Sequence, residues 1–139
     1  MHSPILAPVV ALVSWSMLMW AWMYATRLPA MFKVRMKPDP YAPRGEQMNQ
    51  LPAEVRWKAD NYNHLMEQPT IFYAITLALA LLGEGTGLNL MLAWSYVGLR
   101  VLHSLVQVLI NKIELRFGLF VLSSLALLGL TFNATVAVL

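Results

Sequence analysis

Polar side chains recur at helical spacing inside an otherwise apolar segment. Arg100, His103, Gln107 and Asn111 are three or four residues apart, so on a helix they share one face. An arginine near the middle of a membrane helix costs roughly 2.5 to 3.5 kcal/mol on insertion scales, and it persists when it faces the protein interior with a partner. This face therefore predicts either a structural ion pair that fixes helix register or a polar cavity for an ionic ligand.

A second set of polar residues with the same spacing precedes another apolar run. It comprises Arg56, Asp60, Asn63 and Glu67. Because both sets belong to one small protein, we expect the two faces to meet. Glu67 or Asp60 would then be the acidic partner of Arg100.

Other kinds of chemistry find little support in the sequence. The chain has no cysteine, which removes disulfides, thiolate ligands and cysteine nucleophiles. His64, His103 and Glu67 are too few to predict a converging metal site, so no metal is expected. The sequence contains no phosphate loop, zinc-protease helix or nucleophile elbow. An ion or proton carrier built on Arg100, Glu67 and His103 stays open as an alternative.

The composition is that of a membrane protein. Of the 139 residues, 58% are hydrophobic and 12% are charged. A helix needs about 20 apolar residues to cross the roughly 30 Å hydrocarbon layer. The first segment lacks the basic start and cleavage site of a signal peptide, so we expect it to be retained. The apolar runs predict one all-α, four-helix transmembrane domain with spans near residues 4–26, 60–83, 88–110 and 118–138.

Local signals predict how these helices begin and end. Arg27 closes the first helix, Asn49 caps the second, and Pro69 kinks the second near its middle. The glycine-rich segment 83–87 predicts a tight turn, and the segment 111–118 predicts a short turn before the last helix.

The basic residues are concentrated in one connection. A proline-rich loop near residues 27–55 and the start of the second helix carry seven of the ten lysines and arginines: Arg27, Lys33, Arg35, Lys37, Arg44, Arg56 and Lys58. By the positive-inside rule the loop is cytoplasmic, and four spans then place both termini on the non-cytoplasmic side. These residues flank membrane helices and suit anionic lipid headgroups, so no nucleic-acid partner is expected.

Together these features resemble the MAPEG family, the membrane-associated proteins of eicosanoid and glutathione metabolism. The similarity covers nearly the whole chain: four helices, a long loop after the first, an Asn-x-x-x-Glu-Gln-Pro-x-x-Phe segment from Asn63 to Phe72, Arg100-Val-Leu-His103, and Arg116. The pattern is similar to bacterial-type members that resemble microsomal glutathione transferases. It implies a homotrimer in the inner (cytoplasmic) membrane, with ligand sites between subunits near the cytoplasmic side.

The resemblance also implies a chemistry. Glutathione would be the co-substrate, conjugated to lipophilic electrophiles or used to reduce lipid hydroperoxides. Arg116 and Arg100 would be catalytic, because a nearby guanidinium favours the thiolate. Glu67 would hold the amine of glutathione. The implied binding residues are Asn63, Glu67, Arg56, His103 and Gln107, and Lys58, Lys33 and Arg35 are further candidates for its carboxylates.

Two departures from the family pattern support an alternative function. Glu67 follows Asn63 by four residues, whereas the family more often has a spacing of three. Gln107 occupies the position where several catalytic members have tyrosine, and Tyr62 and Tyr73 are the candidates to replace that phenol. The alternative is a non-catalytic membrane scaffold, a lipid-presenting protein or an accessory subunit of a larger membrane complex.

Overall fold

The computed structural model describes residues 2–139, which form an all-α bundle. The helices α2 and α3 together make the second pass along the bundle, so the predicted all-α, four-helix fold class is confirmed. The trimer stays a prediction. The helices are α1 (Leu6–Lys33), α2 (Ala53–Leu65), α3 (Gln68–Leu81), α4 (Leu88–Leu109) and α5 (Ile113–Val138), and a 3₁₀ turn (Met48–Gln50) lies in the long loop.

The second helix is broken where the sequence predicts only a kink. Pro69 has no N–H, and its ring would clash with the carbonyl four residues earlier, that of Leu65. Accordingly, α2 ends at Leu65. Glu67 has non-helical angles (φ −90°, ψ −95°), and α3 restarts with Pro69 in its first turn, where proline is tolerated. The break separates Glu67 from the helical face that carries Asn63.

The helix α1 is longer than predicted. It continues past Arg27, the expected end, and through Pro29 to Lys33. A proline in a membrane helix removes one backbone hydrogen bond without ending the helix, provided that neighbouring groups accommodate it. The apolar residues Met31 and Phe32 continue the helix beyond that point, and the basic Lys33 suits the negative end of the helix dipole.

The ends of two other helices also differ from prediction. Asn49 lies in the 3₁₀ turn, and Pro52 precedes α2 instead. The helix α5 begins at Ile113, so Arg116 belongs to that helix and not to the predicted turn. The chain reverses at Asn111, whose φ of 53° is left-handed, a conformation that asparagine tolerates at helix C-termini.

One part of the hydrophobic core is formed by α3, α4 and α5. Leu130 of α5 is fully buried, and the rings of Phe72 and Tyr96 stack with their centroids 4.4 Å apart. The Tyr96 hydroxyl donates to Oε1 of Gln68 (3.1 Å), and Nε2 of Gln68 donates to Oγ of Ser124 (2.9 Å). This hydrogen-bonded chain fixes the start of α3 relative to the other two helices.

Three helices, α1, α4 and α5, are long and apolar enough to cross a membrane. Large apolar side chains such as Met91 and Phe132 are exposed on the outside of the bundle, as expected for a protein surrounded by lipid. The helix α3 has 14 residues, a length of about 21 Å, which is short of the hydrocarbon thickness. The predicted position of residues 60–83 across the bilayer stays a prediction.

The turn between α3 and α4 packs against the start of the chain. Gly83 and Gly87 have φ values of 74° and 62°, a region that glycine enters at no steric cost. Gly85 between them is buried, and a β-carbon there would lie 2.8 Å from Cγ2 of Ile5 and would overlap the Ser3 hydroxyl. The turn therefore has no room for a side chain at its centre.

We expect Gly85→Ala to lower the free energy of unfolding by roughly 1 to 3 kcal/mol, the usual cost of overpacking. The matched control is Gly98→Ala in α4, where a β-carbon would meet nothing within 4 Å and alanine favours the helix. Titration of the purified proteins from mild detergent into dodecyl sulfate measures both changes. Equal stability of the two variants would contradict the packing argument.

Candidate functional site

The half of the bundle nearer the 34–52 loop, here called the loop end, contains a buried arginine just past the midpoint of α4. Arg100 of α4 is fully buried. Its Nη2 donates to Nδ1 of His64 (2.8 Å) and, at 3.4 Å, to the His64 carbonyl oxygen. Within residues 2–139, Nε and Nη1 of Arg100 have no hydrogen-bond partner. The buried positive charge is therefore incompletely satisfied by the chain itself.

Arg100 makes no hydrogen bond to either of its expected acidic partners within residues 2–139. Asp60 and Glu67 are exposed, and the partner observed is His64. The break in the second helix explains the difference for Glu67, because this residue no longer continues the α2 face. For Asp60 the reason is that the opposite side of α2, with Asn61 and Leu65, is buried in the bundle. The expectation of an ion pair within one chain is wrong.

Two histidine rings stack beside the arginine. The rings of His64 and His103 are nearly parallel, with centroids 4.8 Å apart and an interplanar angle of 10°. Phe120 of α5 contacts the His64 ring edge-on at 5.6 Å. His103 is buried, and its Nδ1 has no partner among residues 2–139. The predicted interior face of α4 thus carries Arg100 and His103 as the sequence indicates.

A pocket of about 180 Å³ opens next to these rings. Its lining combines one guanidinium and two imidazoles with apolar side chains, and none of the described residues that line it is acidic. Such a lining favours an anion beside an apolar group. Pockets for whole small-molecule ligands usually occupy roughly 300 Å³ or more, so this pocket fits part of a ligand. The lining residues are His64, His103, Ile113, Arg116, Phe117 and Phe120.

Arg116 is held in place by the residue that reverses the chain before α5. Its Nη1 donates to Oδ1 of Asn111 at 2.8 Å. The left-handed conformation of Asn111 ends α4, and the backbone N–H of Asn111 donates to the Val106 carbonyl oxygen (2.6 Å). One asparagine therefore both ends a helix and orients the guanidinium towards the pocket.

A second pocket, of about 320 Å³, lies on another side of α2 against the loop. It contains Arg56 and Asn63, two of the predicted binding residues, together with Arg27, Arg44 and Asp60. Asn63 and His64 are adjacent in the chain but about 100° apart around the helix axis, so they face different pockets. Within one chain the predicted site residues are thus divided between two places.

The remaining predicted residues lie outside both pockets. Glu67 is exposed in the break, where its carbonyl accepts a hydrogen bond from Oγ1 of Thr70 (2.7 Å). Gln107 is buried one turn after His103, and its Oε1 has no partner in the described chain. Of the two tyrosines considered as substitutes, Tyr73 has a buried hydroxyl without a partner within residues 2–139.

The sequence did not predict a place for His64 in this site. It predicted Asn111 on the helical face of Arg100, whereas Asn111 lies just beyond the end of α4 in a left-handed conformation. His64 is adjacent in sequence to Asn63, one of the four polar residues with helical spacing that begin with Arg56. A neighbouring residue lies about 100° further around the helix, so this spacing predicts a different face for His64. A signal for Asn111 is present in the sequence, because an asparagine followed by a new helix often marks a left-handed helix end. Residues 2–139 contain no group of three or more acidic or histidine side chains that could hold a metal ion.

The chain matches the model of a protein family that is described as the MAPEG family, and the match extends over residues 5–136. No curated protein and no solved structure matches the chain. The matched region reaches from the start of α1 almost to the end of α5 and contains both pockets. The chain belongs to the MAPEG family.

Proposed function

We propose that this protein binds glutathione at the loop end and directs its thiolate at lipophilic electrophiles or lipid hydroperoxides. The family membership makes it a membrane protein related to glutathione or eicosanoid metabolism. The proposed setting is the inner (cytoplasmic) membrane, with the loop inside and both termini outside. The proposed acceptor substrates are apolar molecules that partition into the bilayer.

The observation that carries this proposal is the buried, incompletely paired Arg100 beside a pocket that Arg116 lines without a carboxylate. Near a buried, low-dielectric site, two guanidinium groups whose only side-chain partners among the described residues are neutral attract an anion strongly. A glutathione thiolate supplies that charge, and the Phe117 and Phe120 side of the pocket suits an apolar acceptor. In conjugation the sulfur forms the new bond to carbon, and the acceptor's leaving group departs with the electron pair.

The second pocket suits the charged ends of the same ligand. Glutathione has two carboxylates and an amine, and the pocket offers Arg27, Arg44 and Arg56 together with Asp60. Arginine binds carboxylates through paired hydrogen bonds. Because the two pockets are separate within one chain, we propose that a neighbouring subunit of a homotrimer brings them together. Glu67, exposed in the helix break, would then contact the ligand's amine from the subunit surface.

A non-catalytic role is the second candidate function. The buried Gln107, whose Oε1 has no partner among the described residues, stands where several catalytic members have tyrosine. An amide donates and accepts hydrogen bonds but cannot supply a phenol proton. A lipid-presenting protein, or an accessory subunit of a larger membrane complex, would bind glutathione without turning over an acceptor.

Calorimetric titration of glutathione into the detergent-purified protein tests the proposal. We expect saturable binding together with a thiolate absorbance that develops on mixing. S-methylglutathione is the matched ligand control, because it keeps the carboxylates and the amine but cannot form a thiolate. At 100 times the dissociation constant, glutathione should stabilise the folded state by about 2.7 kcal/mol.

The outcomes of this titration are distinct. Binding with thiolate formation and turnover of an electrophile or hydroperoxide supports the enzyme. Saturable binding without turnover of either substrate class supports the non-catalytic role. No heat of binding and no ligand-dependent stabilisation would rule out both glutathione functions. Native mass spectrometry from detergent measures the number of subunits, and a monomer would contradict the shared site.

A further inference from the structure

His64 connects the buried arginine to the pocket. It contacts Nη2 of Arg100 through Nδ1, and its ring lines the 180 Å³ pocket that also contains Arg116. Arg100 is fully buried and does not line that pocket. Any direct contact between a ligand in the pocket and this pair of residues is therefore made by His64.

The hydrogen bond fixes the protonation of the imidazole. An arginine side chain has five N–H donors and no acceptor, so Nδ1 of His64 must accept the hydrogen bond. A ring nitrogen that accepts a hydrogen bond carries no proton. The imidazole is then neutral, and its single proton is on Nε2. Within residues 2–139 no hydrogen bond to this Nε2 occurs.

Packing fixes the plane of the same ring. His103 stacks on one face at 4.8 Å, and Phe120 contacts the ring edge-on at 5.6 Å. With the ring plane and Nδ1 both fixed, Nε2 points away from Arg100. The ring itself is part of the lining of a pocket that has no acidic residue among its described members. With Nδ1 engaged, the Nε2–H is the hydrogen-bond donor that this ring can offer to a ligand there.

We propose that His64 is a ligand-binding residue of this site, whose Nε2–H donates to the thiolate sulfur, and that Arg100 is the positioning residue that holds His64 as a donor. The inference rests on the proposed function and deepens it. His64 does not act as the base that deprotonates glutathione, because Nδ1 is engaged and Nε2 already carries a proton. The thiol proton leaves to solvent, and the sulfur keeps its electron pair and accepts the N–H bond.

The tautomer is measurable without any ligand. In protein labelled with ¹⁵N-histidine, the ring nitrogens of the three histidines can be assigned by comparison with His64→Asn and His103→Gln. We expect His64 at neutral pH to show an unprotonated Nδ1 and a protonated Nε2. In Arg100→Met this preference should disappear. A protonated Nδ1 in the parent protein would overturn the proposal.

Two substitutions separate the acceptor side of the ring from the donor side. In His64→Asn the amide oxygen can replace Nδ1 as the acceptor for Arg100, but no N–H reaches the pocket. We expect the thiolate fraction of bound glutathione to fall about tenfold or more, as for the loss of one hydrogen bond to a charged group. His64→Gln places an amide N–H near the position of Nε2 and should recover part of the thiolate.

The thiolate fractions of the variants and of the parent protein decide whether His64 is a donor. His2→Asn, at an exposed position near the chain start, is the matched control and should behave like the parent. A parent-like thiolate fraction in His64→Asn would overturn the donor role. Failure of His64→Gln to exceed His64→Asn would overturn it as well. If the parent binds no glutathione, the proposed function fails and the donor role with it, whereas the ¹⁵N measurement still decides the contact between Arg100 and His64.

Discussion

Replacement of Arg100 by methionine is expected to weaken glutathione binding by about 100-fold or more while leaving the fold nearly as stable as in the parent. Arg100 does not line the pocket, so its replacement acts on the ligand through His64 and through the loss of a nearby positive charge. Loss of a hydrogen bond to a charged group costs about 1.5 to 3 kcal/mol, and loss of the nearby charge adds to this cost. The arginine costs roughly 2.5 to 3.5 kcal/mol in a membrane helix, and its hydrogen bond to His64 returns about 1.5 to 3 kcal/mol. These contributions nearly cancel, so stability should change by no more than about 2 kcal/mol.

A purely structural arginine predicts the opposite pattern. Removal of an arginine that supports a buried polar cluster would cost about 3 to 5 kcal/mol of stability, as in the breaking of a buried charged interaction, and ligand binding would then decline only with the fold. Dodecyl sulfate titration and glutathione calorimetry on the same preparations separate the two cases. Arg100→Lys keeps the charge, and Leu102→Met, at an exposed position of α4, is the control for a methionine substitution. A stability loss above 3 kcal/mol with binding retained would assign Arg100 to the architecture alone.

Arg116→Ala is expected to abolish the thiolate absorbance and to lower turnover by about 10²- to 10³-fold, the range for loss of one preorganised donor. Arg116 lines the pocket directly and is oriented by Asn111 at 2.8 Å. Its charge is not neutralised by any acidic residue in the described lining. Mixing experiments that follow the thiolate absorbance, and turnover of a generic electrophile, measure the two effects.

The chain offers a matched control for this substitution. Lys112 is exposed, lies just before α5 and is outside the pocket lining. Lys112→Ala removes the same formal charge, so it should leave the thiolate and the turnover unchanged. Arg116→Lys should recover part of the activity, because a lysine keeps the charge but not the planar donor geometry. An undiminished thiolate signal in Arg116→Ala would remove the activation mechanism.

The interior face of α4 could be predicted because few orientations of this helix keep its charged residue out of lipid. A charged residue in the middle of an apolar helix is too costly to face lipid, so Arg100 and the residues one turn away from it had to point inwards. The apolar runs predicted the all-α fold for the same reason. Proline and glycine were less informative about helix ends. The helix α1 continues through Pro29, and α5 begins before Gly118.

The inner face of α2 could not be predicted in the same way. This helix has polar residues on several sides, and spacing alone does not indicate which side another helix covers. Asn61 and His64 turn towards the bundle, whereas Asp60 and Asn63 remain accessible. The helix break before Pro69 then separates Glu67 from the helical face that carries Asn63. Both features depend on tertiary packing, which the spacing of residues along the sequence does not determine.

The length of α1 has a consequence for measurements in different lipids. Its 28 residues span about 42 Å, roughly 12 Å more than the acyl-chain layer. We expect this surplus to bring Arg27, and with it the arginine-rich pocket that it lines, to the depth of the phosphates of the surrounding lipids. In an anionic bilayer we expect those phosphates to compete for the same guanidinium groups that a soluble anion would use. We therefore expect the affinity for a soluble anion to be lower in anionic vesicles than in neutral detergent.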